Sequence, residues 1–292
     1  MSASHHPIRF SAQDSPLPEA IALLAGAGLY PQVCAQRMQA LGIRLHLLAL
    51  DEGIDRTFFD DFPFQSRHFI PITRLGKLLA TLRKIQVQYA ITAGQIRPRK
   101  LFGGLRFDLR AFWLFRKLRE KNAATIFAAI ADEIEGIGVR VLDARSFMEE
   151  DLVDEDTRTP SAWKLPLRVL EHGTRVARAI ADLDIGQGVV VHNGTVLCVE
   201  GFDGTNALLQ YAGRFPVKPK LFVKGAKASQ DFRFDVPVFG LRTLEHLRSN
   251  GIAYAALEAG KTLILHKQEV LVQAEAWGIH LRGYTLAQGA IP

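Results

Sequence analysis

The sequence predicts an α/β protein of two domains, a parallel-sheet domain followed by a mixed α/β domain. Three observations lead there. Residues 20–53, "AIALLAGAGLYPQVCAQRMQALGIRLHLLALDEG", run from a short apolar segment through a glycine turn and a helical stretch to a second apolar segment, the order of a β-α-β unit. Residues 148–166, "MEEDLVDEDTRTPSAWKLP", are acidic and proline-bearing and interrupt the periodic pattern, as a domain boundary does. Beyond them, β-branched apolar segments flank His192-Asn193-Gly194, with Asn-Gly as the turn signal of a hairpin. A chain of 292 residues exceeds the usual single core. The expected division is a flexible tail over 1–17, a Rossmann-like nucleotide-binding domain over 18–150 and a C-terminal catalytic and lipid-binding α/β domain over 151–292.

The elements follow in order. Ala20 to Ala25 is short and apolar, as a buried parallel strand requires. Gly26 and Gly28 permit a tight turn, Pro31 suits the first turn of a helix, and Gly42 closes that helix. The next strand ends near Leu50, with Asp51 at its carboxyl end. Backbone N–H groups converging at the start of the first helix offer an anion site. Counting G-x-G-x-x-G from Gly26 puts Pro31 at the third glycine, which weakens the case for NAD or FAD. Leu75, Leu78, Leu79 and Leu82 mark the inward face of another helix, and "VQYAITA" is a strand with Gly94 and Gln95 at its end. Loops at strand carboxyl ends share one crevice in an open parallel sheet, so Gly26, Gly28, Asp51 and Gln95 are expected to face a common ligand, with Arg97, Arg99 and Lys100 as its positive wall.

Composition narrows the classes. Cys34 and Cys198 lack disulfide or zinc-ligand spacing, which favours a reducing cytoplasm. No apolar run reaches about 18 residues, so no transmembrane helix is expected. The net charge of +6 is concentrated: Arg67 to Lys121 holds 14 Lys/Arg against Asp108 and Glu120. Such an excess suits phosphate groups or an anionic membrane surface. Residues 105–121 interleave Phe107, Phe112, Trp113 and Phe115 with basic side chains, as an interfacial helix or a helix buried by a neighbour does. Nucleic acid is not expected, since no helix-turn-helix or RNA-recognition signature accompanies these charges.

"KASQDFRFDVP", residues 227–237, spaces Asp231, Arg233 and Asp235 at alternate positions around Phe232 and Phe234. On a β-strand the two acids and the arginine share one face and the phenylalanines the other. That pattern serves a polar site on a core strand or an ordinary surface strand.

Taken together, "LLAGAGLYPQ", "ITRLGKLLATLRK", "ITAGQIRPRKLF", "DIGQGVVVHNGTVLCVEGFDGTNALL", "KASQDFRFDVPVFG" and "AYAALEAGKTLIL" resemble the LpxI-type UDP-2,3-diacylglucosamine pyrophosphatases of lipid A biosynthesis, over nearly the whole chain. The resemblance implies Mg²⁺-dependent hydrolysis of a UDP-linked diacyl glucosamine lipid to UMP and the 1-phosphate lipid, water attacking the sugar-side phosphorus, and a homodimer. It assigns function to the Q-D-x-R-x-D-x-P segment, here Gln230, Asp231, Arg233, Asp235 and Pro237. Asp231 and Asp235 are then the candidate catalytic acids and metal ligands, because a hard cation takes carboxylate oxygens, while Arg233 and Lys227 suit phosphate oxygens. An Arg233 that pairs with an acid would instead make the triplet a structural ion network. Glu200, Thr205, Glu258 and Lys261 match further family segments and join Gly26, Gly28, Gln95 and Gln230 as candidate substrate contacts. Lys121-Asn122-Ala123 and Asn206 stand where the resemblance leads one to expect acids. Those departures keep a second reading open, a catalytically silent binder of a nucleotide-linked or phosphorylated lipid.

Overall fold

The computed structural model describes residues 7–96, 107–118 and 123–286. The chain divides into two compact units, one of Met1–Glu149 with Asp231–Asp235, the other of Glu150–Gln230 with Val236–Pro292.

Unit one comprises β1 (Ala20–Ala25), α1 (Tyr30–Ala40), β2 (Arg44–Ala49), α2 (Arg56–Asp60), β3 (Arg67–Phe69), α3 (Leu75–Ile85), β4 (Tyr89–Ala93), α4 (Leu109–Lys117), α5 (Ala123–Glu135) and β5 (Arg140–Val141). Its sheet is parallel in the order β3-β2-β1-β4-β5. Strand order reverses between β1 and β4, so the carboxyl ends of those strands form the switch point where such sheets take ligands. The apolar runs form strands because both sheet faces are covered: β1 is buried from Ile21 onward. The four α3 leucines expected to point inward do so, beside Ile126, Ile130 and Ile134 of α5. Of the segment expected as a tail, Ile8 and Phe10 are fastened to this unit. The Ile8 carbonyl accepts from Asp143 N at 2.8 Å, Phe10 N donates to Ser146 Oγ at 3.1 Å, and the Phe10 ring stacks on Phe147.

Unit two comprises α6 (Leu167–Asp182), β6 (Gly188–His192), β7 (Thr195–Val199), α7 (Gly204–Gly213), β8 (Leu221–Lys224), β9 (Val238–Phe239), α8 (Leu241–Ser249), β10 (Tyr254–Glu258), β11 (Leu263–Ile264), α9 (Lys267–Ala276) and β12 (His280–Tyr284). Its main sheet runs β12-β10-β8-β6-β7, with β8, β10 and β12 parallel and β6 antiparallel to its neighbours. The hairpin turns through Asn193 and Gly194, both at positive φ (47° and 87°), as a two-residue loop matched to strand twist demands. Alternate residues feed two cores: Val190 and Phe222 face one, Val189, Val191, Leu221 and Val223 the other.

One expected strand is not a strand. Asp231–Asp235 forms turns, and only Val238–Phe239 of "DFRFDVPVFG" pairs in a sheet. Asp231 Oδ1 accepts from Arg233 N at 3.0 Å, an Asx turn that takes up a backbone donor a strand ladder would need. Nor do the phenylalanines take the buried face: Arg233 is the most buried of the five residues, at 9% exposure.

Candidate active site

The first cluster lies in unit one, around the switch point. Gly26 N donates to the Ala93 carbonyl at 2.8 Å, and Ala27 and Gln95 exchange both backbone bonds at 2.8 and 2.9 Å, joining the turns after β1 and β4. Only glycine fits this approach. A Cβ on Gly26 would stand 2.6 Å from the Gln95 carbonyl oxygen, and one on Gly94 (φ +89°) 2.7 Å from that of Ala27. Gly28 faces open space, and α1 starts just beyond it with Pro31 in its first turn and no side-chain cap. Gly26 and Gln95 therefore shape the backbone here, while Gly28 leaves a helix start open. Asp51 is buried and accepts from Gly53 N at 2.7 Å, closing its own turn. Arg97, Arg99, Lys100, Lys121 and Asn122 lie outside the described residues.

Onto the carboxyl ends of β4 and β5 the fold fastens the Asp231–Asp235 turn. Thr92 Oγ1 donates to the Arg233 carbonyl at 2.5 Å, and Ala144 N donates to the Phe232 carbonyl at 2.8 Å. Arg145, held by Asp143, lies over the Phe232 ring at 3.5 Å, and Phe234 stacks on Phe127 of α5 at 5.6 Å. Arg233 donates from Nε and NH2 to Asp231 and from NH1 to Asp132 Oδ1 and Glu135 Oε2, both at 3.1 Å. The hydrogen bonds to Asp231, more than burial opposes, hold its pKa above the ordinary arginine value. Asp231 thus answers an internal cation with both oxygens, and Asp235 is the exposed acid of the turn.

The second cluster closes one end of the unit-two sheet, where β8 and β10 finish and β6 begins. Glu258 is buried. Its Oε1 meets Arg178 NH2 at 2.5 Å and Lys261 Nζ at 3.0 Å, and its Oε2 accepts from Ala226 N at 2.9 Å. Tyr284, buried beside it, has its pKa pushed well above the ordinary value, by burial first and by the Glu258 charge second. A few residues away, Thr205 at the start of α7 donates to Glu200 Oε1 at 2.8 Å and accepts from Lys224 Nζ at 3.1 Å. Gly188 makes room for that carboxylate, since a Cβ there would stand 2.8 Å from Glu200 Oε2. Beyond β8, Lys227 Nζ donates to Asp184 Oδ1 at 2.8 Å, and Ala228 N to Asp182 Oδ1 at 2.7 Å. Gln230, the last residue before the turn, is half-buried in unit two.

The structure thus brings Asp231, Arg233, Asp235, Gly26, Gly28 and Gln95 into unit one, and Lys227, Gln230, Glu200, Thr205, Glu258 and Lys261 into unit two. Arg233 pairs with Asp231, Asp132 and Glu135, the pairing that makes the triplet an ion network. Sequence reasoning missed Asp132 and Glu135, Thr92, Arg178 and Lys224. Asp132 and Glu135 carried a signal, acids spaced i, i+3 on an apolar helix. Lys224 carried one as well, as a charge that closes the apolar run "LFVK".

A model of the LpxI N-terminal domain matches residues 20–151, and a model of the LpxI C-terminal domain matches residues 159–282. Among curated proteins, the chain is 28% identical over 276 residues to the UDP-2,3-diacylglucosamine pyrophosphatase LpxI of Caulobacter vibrioides, spanning 90% of this chain and 96% of that one.

Proposed function

The chain belongs to the LpxI family, and from that premise we propose that it hydrolyses UDP-2,3-diacylglucosamine to UMP and 2,3-diacylglucosamine 1-phosphate, a step of lipid A biosynthesis. The observation that carries this reading is the match of both family domains, in order, together with a full-length relative bearing that name. The site chemistry agrees with it: in a parallel α/β unit an anchored turn carries an exposed acid, Asp235, and α1 starts without a side-chain cap.

In this reading water attacks the sugar-side phosphorus, a new P–O bond forms to the water oxygen, and UMP leaves with the bridging oxygen. Asp235 orients or deprotonates the water. Asp231 acts chiefly through Arg233, fixing the turn that carries Asp235. The donor set fits Mg²⁺ only as it is usually held in phosphoryl-transfer sites, through one or two carboxylates plus substrate phosphates. A guanidinium already sits among Asp231, Asp132 and Glu135, so Asp235, the exposed acid of the turn, is the residue that would hold such an ion. Bound there, Mg²⁺ would neutralise charge on the phosphoryl oxygens.

A homodimer and a cytoplasmic place against the inner membrane complete the proposal. Among the described residues no helix is long and apolar enough to cross a membrane. Helix α4 instead exposes Leu109 (80%), Phe112 (47%) and Trp113 (55%) alongside Arg110, Arg116 and Lys117, a composition that complements an anionic bilayer.

Release of UMP from UDP-2,3-diacylglucosamine, measured with Mg²⁺ and with EDTA, tests the reaction. Metal-dependent release that disappears in Asp235→Ala, with ¹⁸O from labelled water in the lipid phosphate, is the expected result. Asn206, at a position where an acid was expected, favours the silent-binder reading, and substrate binding without any release would establish it.

A further inference from the structure

Two lysines stand at opposite ends of β8, and they are held very differently. Lys220, just before the strand, donates from Nζ to three carbonyls, those of Ala212 at 3.1 Å, Phe215 at 3.3 Å and Asn250 at 2.9 Å. All three ammonium protons have acceptors, and those carbonyls lie at or just beyond the carboxyl ends of α7 and α8, where cations are favoured. Lys220 is a cap.

Lys224, the last residue of the strand, is as buried, at 5% exposure. Yet its one hydrogen bond among the described residues goes to Thr205 Oγ1, and the nearest carboxylate oxygen, Glu200 Oε2, is 3.7 Å away. That oxygen is itself buried and has no hydrogen-bond partner among the described residues. A buried ammonium with one hydrogen bond and one long ion pair among the described residues, beside a buried carboxylate oxygen without a hydrogen bond there, is a costly arrangement for packing alone, because a methionine of similar length would carry no desolvation penalty. Unsatisfied buried groups of this kind mark a place where another polar group belongs. The place is the carboxyl end of a parallel strand, next to the start of α7, where N–H groups also favour an anion.

We infer that Lys224 is a substrate contact, its free protons receiving a phosphate oxygen of the nucleotide-linked substrate while Thr205 and Glu200 hold the ammonium in place. The inference rests on the proposed reaction for the identity of the ligand. It adds to the candidate contacts a cation that no motif in the sequence singled out, and it separates that cation from Lys220, four residues earlier and just before the strand.

The test compares Lys224→Gln, Lys224→Met and Lys224→Arg with Lys220→Met in steady-state hydrolysis of UDP-2,3-diacylglucosamine, with thermal melting of each full-length variant. Lys224→Gln keeps an N–H donor on a shorter, uncharged side chain, and with its melting curve it guards against simple misfolding. Loss of a hydrogen bond to a charged group should raise KM about tenfold or more in the Gln and Met variants. Lys224→Arg should lie nearer wild type, and Lys220→Met should lower the melting temperature without changing the KM of the folded enzyme. A KM within twofold of wild type in Lys224→Gln overturns the inference. If wild type releases no UMP, the proposed reaction fails, and calorimetric titration with UDP then decides on Lys224. Binding by wild type that is lost in Lys224→Gln sustains the contact, and equal binding, or none by either, removes it.

Discussion

The turn at Asp231–Asp235 and the strand end at Glu258 are built as electrostatic opposites. In the turn a single cation, Arg233, gathers three carboxylates; at the strand end a single carboxylate, Glu258, gathers two cations and a backbone N–H. Burial also differs. Arg233's partners Asp132 and Asp231 have side chains 68% and 39% exposed, whereas Glu258 and Arg178 have side chains 5% and 18% exposed. Charge around Arg233 can therefore be traded with water, and charge around Glu258 cannot. A polar cluster at the rim locates a chain segment; one inside the sheet end holds the fold as well.

Mutations sharpen that contrast in descending order of effect. Glu258→Ala should be the most damaging, leaving Arg178 and Lys261 without their carboxylate and Ala226 N without an acceptor. Breaking one side of a buried pair costs about 3–5 kcal/mol, measurable as a shift in the denaturant midpoint. Glu258→Gln, which keeps one acceptor, should lose less, and an equal loss would show that the packing rather than the charge matters. Arg233→Met should follow, at about 2 kcal/mol, because several charge-assisted hydrogen bonds go together but water reaches the orphaned acids. Arg233→Lys should recover little of this, since an ammonium cannot reproduce the planar fork that meets both oxygens of Asp231. If Arg233→Met unfolds the protein as completely as Glu258→Ala, the rim-and-interior distinction collapses.

A smaller effect should come from a third polar region, on β2 and β3 of unit one. His46 and His68 both have pKa values lowered by burial first, then by the His68 charge in the case of His46 and by Lys84 in the case of His68. A histidine whose folded pKa is lowered is protonated first in the unfolded chain, so stability is full above about pH 6.5 and falls as pH drops through the lowered folded values. Melting curves between pH 7.5 and 5 should show this decline, and His46→Gln with His68→Gln should flatten it. An unchanged slope in the double variant would assign the decline to other groups. Smallest of all, Asp132→Asn should change stability by about 0.5 kcal/mol or less, as expected of an exposed partner in an ion network.

What the sequence made legible was local. The β1 run, the α3 leucine face and the Asn193-Gly194 hairpin follow from the period of a few neighbouring residues, and each took the expected form. The Asp231–Asp235 turn shows why the rest was not. Its alternation has the period of a strand, but its conformation is fixed by Thr92, Phe127, Asp132 and Ala144, which lie 88 to 141 residues from their partners in the chain. Likewise, Lys220 and Lys224 flank one apolar run in "PKLFVKG" and cannot be told apart there. Three carbonyls from two helix ends make one of them a cap, whereas the other has Thr205 Oγ1 as its one hydrogen-bond acceptor among the described residues.

The paired backbone bonds between Ala27 and Gln95 have a consequence for how this fold can diversify. Two loops that are ordinarily free to change length independently are stitched together by four peptide groups, with Gly26 and Gly94 at the seam. An insertion in either turn would throw the stitch out of register unless the other changed with it. Variation at this corner is thereby confined to side chains and to the chain beyond Gln95, and the backbone that frames the start of α1 is inherited as one piece.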